Sequence, residues 1–190
     1  MRTVMLLCLA TVAWVAPGWA QEEPTEAKPP VYDAQADAKA DITAALKKCK
    51  KDNQRVLLVY GANWCGWCVK LDGVFKRNRD IRRKILYEYR IVKVDVGKFD
   101  KNMDIAKRHG VDLKQHGIPF LTVLDGNGSM LTNQNTSDLE KGAEHDVEKV
   151  KRFLTRWQAE PQDADKLLAA AVARAAQEKK RVFVHLGAPW

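Results

Sequence analysis

An α/β sandwich around a mixed sheet is the fold this 190-residue chain predicts, and three observations predict it. A continuous apolar run at 56–60 reads as a strand covered on both faces, and 91–96 reads as a second buried strand. Segments with helical spacing alternate with these runs, the pattern of an α/β layer structure. Further strand candidates at 120–124 and 129–132 are joined by Asp125-Gly126-Asn127-Gly128, a strong hairpin signal.

Residues 1–20 stand apart from that fold. Met1 and Arg2 form a basic start, an apolar run covers 4–15, and Pro17-Gly18-Trp19-Ala20 places small residues where a signal peptidase reads. This is the layout of a secretory signal peptide cut after Ala20. The run is shorter than the roughly 20 residues a membrane-spanning helix needs. Cys8 leaves with the leader, because Leu6 and Leu7 stand where a lipoprotein signal has small residues. The expectation is export, with no stable membrane anchor after cleavage, into a compartment such as the bacterial periplasm.

Residues 21–33 carry Pro24, Pro29 and Pro30 among charged residues and read as an extended tether. The domain proper is expected over 34–160. Its first helix, 34–52, sets Ile42, Ala45, Leu46 and Cys49 on one face, so Cys49 points inward as a small buried hydrophobe. The strand at 56–60 runs through Gly61-Ala62-Asn63-Trp64 into a helix over 65–76, with Cys68, Leu71 and Phe75 at helical spacing. A helix at 81–87, the strand at 91–96 and a helix at 103–109 follow. After the hairpin, Val147, Val150, Leu154 and Trp157 mark one face of a last helix.

Composition narrows the class. Hydrophobic residues at 46% and charged residues at 29% are globular values, which excludes wholesale disorder, collagen-like repeats and a disulfide-dense miniprotein. The net charge of +8 gathers partly at 47–55 and 76–84, but Asp52 and Asp80 interrupt both clusters. Solvated faces are the first reading and attraction of acidic partners the second. Export argues against nucleic acid. Asn127-Gly128-Ser129 and Asn135-Thr136-Ser137 match the glycosylation pattern, which matters only in a eukaryotic host.

The chemistry lies at Cys65 and Cys68. Their spacing at a strand-to-helix junction puts the first at a helix N-terminus and the second one turn in. Backbone N–H groups and the helix dipole favour a thiolate at Cys65, making it the more acidic, exposed nucleophile. Cys68 is near enough to close a disulfide, so Cys65 attacks a substrate disulfide and Cys68 resolves the mixed species. A zinc site needs about four ligands, and only Cys49, His109, His116, His145 and His185 are left to supply them. A c-type haem needs histidine after the second cysteine, where Val69 stands. No metal or cofactor is expected beyond the cysteine pair itself.

Trp64-Cys65-Gly66-Trp67-Cys68 after a buried strand, with Ile118-Pro119 leading into a later hairpin, resembles the thioredoxin family over about 34–157. The resemblance implies a thioredoxin-like fold, with a mixed central sheet flanked by helices. It implies a cis Pro119 beside the cysteines, and Ile118 offering backbone hydrogen bonds to an extended substrate, with Trp64, Gly66 and Trp67 around it. The family's buried aspartate, six residues before the first cysteine, is here Val59. Asp72, one turn past Cys68, is the candidate proton-handling substitute, the other reading being a solvated helix residue. It resembles an acidic residue in the C-terminal thioredoxin-like domain of the periplasm's membrane electron conduit. Gly66-Trp67 is neither the Gly-Pro of thioredoxin nor a histidine-containing pair. With no histidine beside Cys65, the resemblance favours reductase or isomerase work over strong oxidation. His116, close before Pro119, reads as a surface residue.

The chain ends on a second beginning. Aligning Trp190 with Trp64 brings Arg181-Val182 onto Arg55-Val56 and Gly187-Ala188 onto Gly61-Ala62, with a helical segment over 164–178 preceding. Residues 161–190 are therefore expected to be a linker and the start of a truncated second thioredoxin-like domain; the other reading is a helix and strand docked on the first. The chain as a whole reads as a monomeric, exported thiol–disulfide oxidoreductase acting on protein thiols and disulfides with an upstream redox partner. The competing reading is a noncatalytic binding module, with a structural Cys65–Cys68 disulfide and an Ile118-Pro119 groove.

Overall fold

The computed structural model describes residues 29–185. The expected leader, most of the tether and the Gly187-to-Trp190 end of the repeat lie outside the described residues. Helix α1 (Ala38–Asp52) starts where Asp37 Oδ1 accepts the N–H groups of Lys39 and Ala40, both at 3.0 Å. Such a cap satisfies donors that the first turn leaves open. The helix stops at Asn53, which takes left-handed backbone angles and returns its N–H to the Cys49 carbonyl. Cys49 is buried, as its helix face predicts.

Strand β1 (Arg55–Gly61) leads through α2 (Gly66–Arg77) and α3 (Arg79–Glu88) to β2 (Tyr89–Asp95), which pairs with β1 in parallel. Asn78 divides the two helices: its N–H closes α2 on Val74 and its side chain caps α3 at the Ile81 N–H, 3.0 Å away. Next come α4 (Met103–Arg108), α5 (Leu113–His116), β3 (Phe120–Leu124) and β4 (Met130–Asn135). The sheet order β2-β1-β3-β4 is mixed, since β3 runs antiparallel to both β1 and β4. The hairpin turn between β3 and β4 closes on Asp125 Oδ1, which accepts from the N–H groups of Asn127 at 2.9 Å and Ser129 at 2.8 Å. Gly128 sits there at φ +89°, which a side chain would resist.

Alternation along β1 separates two cores. Leu57 and Val59, with Leu121 and Val123 of β3, pack under α2, α3 and the late helix α6 (Val147–Trp157). Val56, Leu58 and Tyr60, with Phe120 and Leu124, pack under α1, α4 and α5. Both faces of β1 are therefore covered, which is why its sequence is an unbroken apolar run.

The structure also departs from the expected elements. β2 starts at Tyr89 instead of 91, because Tyr89 pairs with Arg55 and its hydroxyl donates to the Leu154 carbonyl at 2.6 Å. α5, a 3-10 turn at Thr136–Leu139, and the two-residue strands β5 (Glu140–Lys141) and β6 (Glu144–His145) are too short to carry a periodic signal. The last helix, α7 (Ala164–Gln177), forms as its sequence predicts but buries no side chain. Residues 181–185 form no strand, and Val182, Phe183 and Val184 are exposed, so within the described residues the second beginning consists of a helix alone.

Candidate active site

β1 ends at Gly61, in the middle of the sheet, and the chain turns through Ala62, Asn63 and Trp64 to reach α2. Cys65 is the N-cap of that helix, with extended backbone angles, and its Sγ accepts the Cys68 N–H at 3.1 Å. The two cysteines form a disulfide with their Cα atoms 5.2 Å apart. Cys65 is less exposed than its predicted role suggests: it is 6% accessible, against 1% for Cys68, so the difference between them lies in the expected direction but is small. The helix N-terminus nonetheless offers backbone donors to a charge on the Cys65 sulfur.

Pairing of β3 against β1 brings the residues before β3 to the same end of the sheet. The Ile118–Pro119 peptide bond is cis, and the Ile118 carbonyl oxygen lies 3.6 Å from Cys65 Sγ. Pro119 is buried and its carbonyl accepts the hydroxyl of buried Thr136 at 2.6 Å. Trp64 is 58% exposed, held by its indole N–H to the Gly97 carbonyl at 2.7 Å and by its ring against Phe99. Gly66 faces open space. His116 is exposed, as expected.

Trp67 is half-buried and meets His145 edge to face at a centroid distance of 5.1 Å. His145 Nε2–H donates to the Trp67 carbonyl at 3.2 Å, leaving Nδ1 buried without a partner. Burial holds the imidazole below its usual 6.5, so it is neutral. Lys70 lies over the Trp67 ring and reaches the Ala143 carbonyl, tying α2 to the β5–β6 hairpin. The sequence places no histidine near the cysteines, whereas the fold brings His145 onto the tryptophan between them. Nothing in the spacing of β6 signals this.

Beneath the pair, Asp72 projects from α2 into contact with two lysines. Lys93 of β2 reaches its Oδ1 at 2.5 Å, and Lys76, one turn along, reaches Oδ2 at 2.8 Å. Burial alone raises the carboxyl, but the hydrogen bonds from Lys76 and Lys93 outweigh it and hold it below 3.8. Val59 is buried in the sheet and supplies no acid. The remaining neighbour comes from the tether. Asn63 grips the backbone of Tyr32 on both sides, accepting its N–H at 2.8 Å and donating to its carbonyl at 2.7 Å. That clamp lays the Tyr32 ring under the cysteines in the same core cluster. Among the described residues, no group of three or more His, Cys, Asp or Glu side chains is placed to hold a metal.

A family described as thioredoxin-like matches residues 37–126. The crystal structure of a disulphide isomerase from Xylella fastidiosa Temecula1 is 32% identical and superimposes with a TM-score of 0.61, covering 68% of this chain and 98% of that one. The structure of a DsbH oxidoreductase is 21% identical, with a TM-score of 0.45 over 74% of this chain and 95% of that chain. The oxidised C-terminal domain of DsbD from Neisseria meningitidis is 18% identical, with a TM-score of 0.45 over 63% of this chain and 96% of that one. No curated protein matches. With its mixed sheet, its Cys65–Cys68 pair at the head of α2 and its likeness to the Xylella protein, the chain belongs to the thioredoxin-like family of thiol–disulfide oxidoreductases.

Proposed function

We propose that the protein works outside the cytoplasm as a reductase or isomerase of protein disulfides. One observation carries the reading: the less covered sulfur, Cys65, caps α2 beside the Ile118 carbonyl, where helix dipole and backbone donors favour its thiolate. The Cys65 thiolate attacks one sulfur of a substrate disulfide. A Cys65–substrate bond forms, and the other substrate sulfur leaves with the electron pair and takes up a proton. Cys68, having lost its thiol proton, then attacks Cys65 Sγ. The internal disulfide forms, the second substrate sulfur departs as a thiolate, and the substrate is reduced by two electrons. An upstream dithiol partner restores the pair by the same exchange.

Ile118 and Pro119 form the substrate-facing edge, and an extended peptide pairs with the Ile118 backbone while Trp64, Gly66 and Trp67 border its path. Asp72 handles the proton of Cys68; it lies one turn beyond it, held as a carboxylate by Lys76 and Lys93. The signal-like N-terminus supports export, and likeness to the Xylella disulphide isomerase supports isomerase work. No helix among the described residues is long and apolar enough to cross a membrane. Insulin reduction tests the reading: the wild type turns over and Cys65→Ser does not, whereas negligible turnover in both supports a binding module. Equilibration with glutathione then reads the direction of electron flow. A potential near about −270 mV marks a reductant, and one near about −120 mV an oxidant, which would overturn the reductase reading.

A further inference from the structure

The resolving sulfur has a neighbour that the proposed exchange does not yet use. Gly61 ends β1 directly beneath α2. A Cβ placed there would overlap the Tyr32 hydroxyl and lie 2.8 Å from Cys68 Sγ, so hydroxyl and sulfur flank the same glycine, on the space that its missing side chain leaves open. Tyr32 is 1% exposed, and the Asn63 clamp on both its backbone groups fixes where the ring enters. The position from which the family's buried acid would serve Cys68 is occupied by Val59, which carries no polar atom.

We propose that the Tyr32 hydroxyl is a catalytic group of the exchange, donating a hydrogen bond to Cys68 Sγ and stabilising the thiolate that resolves the mixed disulfide. A charge-assisted hydrogen bond to a buried sulfur anion is stronger than one between neutral partners. Burial, then the negative charges of Asp72 and Asp95, push the phenol well above its usual 10, so it stays protonated and remains a donor throughout the working pH range. The other charged or titratable groups around Cys68 are Cys65 and Asp72 on its own helix, Lys76 and Lys93 bound to Asp72, and Asp95 at the end of β2. Tyr32 is thus the neutral donor beside carboxylates that are themselves paired, Asp72 with Lys76 and Lys93 and Asp95 with Lys101 at 4.0 Å. In the step itself, Cys68 passes its thiol proton by way of Asp72 to solvent. Its electron pair forms the bond to Cys65 Sγ as the substrate sulfur leaves with the pair of the broken bond, and Tyr32 neither gains nor loses a proton overall.

The role rests on Cys68 being the resolving thiol, so the experiment is chosen to read the thiol without any substrate. In reduced Cys65→Ser protein labelled with ¹³C at cysteine Cβ, NMR titration follows Cys68 and Cys49 separately. Tyr32→Phe in that background keeps the ring and removes the donor. The expected result is a Cys68 acid dissociation constant about tenfold smaller, with Cys49 unchanged. A Cys68 titration that superimposes on the parent's, in a variant that still folds, overturns the proposal. If Tyr32→Phe does not fold, uniform replacement of tyrosine by 3-fluorotyrosine substitutes a stronger donor. Cys68 must then titrate at lower pH, and an unchanged midpoint overturns the proposal equally. Neither titration depends on insulin turnover, so failure of the enzymatic reading and failure of the Tyr32 role give different results.

Discussion

Cys65 and Cys68 differ by one helical turn and by what lies beside each sulfur: the Ile118 carbonyl beside the first, and Gly61, with Tyr32 and the core, beside the second. The absence of a side chain at Gly61 is what lets them coexist. Gly61→Ala is therefore expected to destabilise the fold by about 1–3 kcal/mol, since rigid neighbours on both sides must shift; chemical denaturation of the oxidised protein measures this. Asp72 supplies a pH dependence of its own. Its carboxyl titrates below 3.8 when folded, so its ion pairs stabilise the protein above the unfolded value, and that stability is lost as pH falls through the folded one. Asp72→Asn is expected to cost roughly 1–3 kcal/mol at pH 7, discounted because Lys76 is largely exposed, and the difference from wild type should shrink as the pH drops below 4. Denaturation curves at the two pH values check it. At this scale Cys65, Cys68 and Asp72 were legible because spacing on one helix determines their geometry. Tyr32, Thr136 and His145 were not, because each reaches the site from a distant segment without any periodic pattern, and neither was Asn63, whose place in the loop before Cys65 gives no sign of the backbone it grips.

The elements succeed or fail for local reasons. The Asp37 side chain caps α1 with two backbone hydrogen bonds and makes no other hydrogen bond or ion pair among the described residues, so Asp37→Ala is expected to cost about 1 kcal/mol and to leave insulin reduction intact. Leu57 of β1 lies at 0% exposure in the core under α2, and Leu57→Ala is expected to cost about 2–5 kcal/mol; thermal unfolding ranks the two variants. The apolar runs of β1 and β3 and the helical faces of α1, α2 and α6 could be read from the sequence because each is long enough to show its period. β5, β6 and α5 escaped because two to four residues carry none. The hairpin after β3 was legible for another reason: Asp125 and Gly128 each have a specific job in the turn.

For the molecule as a whole, the sheet places its chemistry at one end. β1 delivers the loop before α2, β3 delivers Ile118 and Pro119, and their antiparallel pairing brings the two together. The second beginning takes no part in this, since α7 buries nothing. A chain stopped after Gln162 is expected to match the full chain within about 0.5 kcal/mol in denaturation. The central claim, that Cys65 attacks and Cys68 resolves, is tested most directly by trapping. Reduced Cys68→Ser, mixed with insulin and analysed by mass spectrometry, is predicted to accumulate a covalent adduct through Cys65, while Cys65→Ser accumulates none. An adduct carried by Cys68 in the Cys65→Ser chain, or no adduct on the Cys68→Ser chain, would contradict the account.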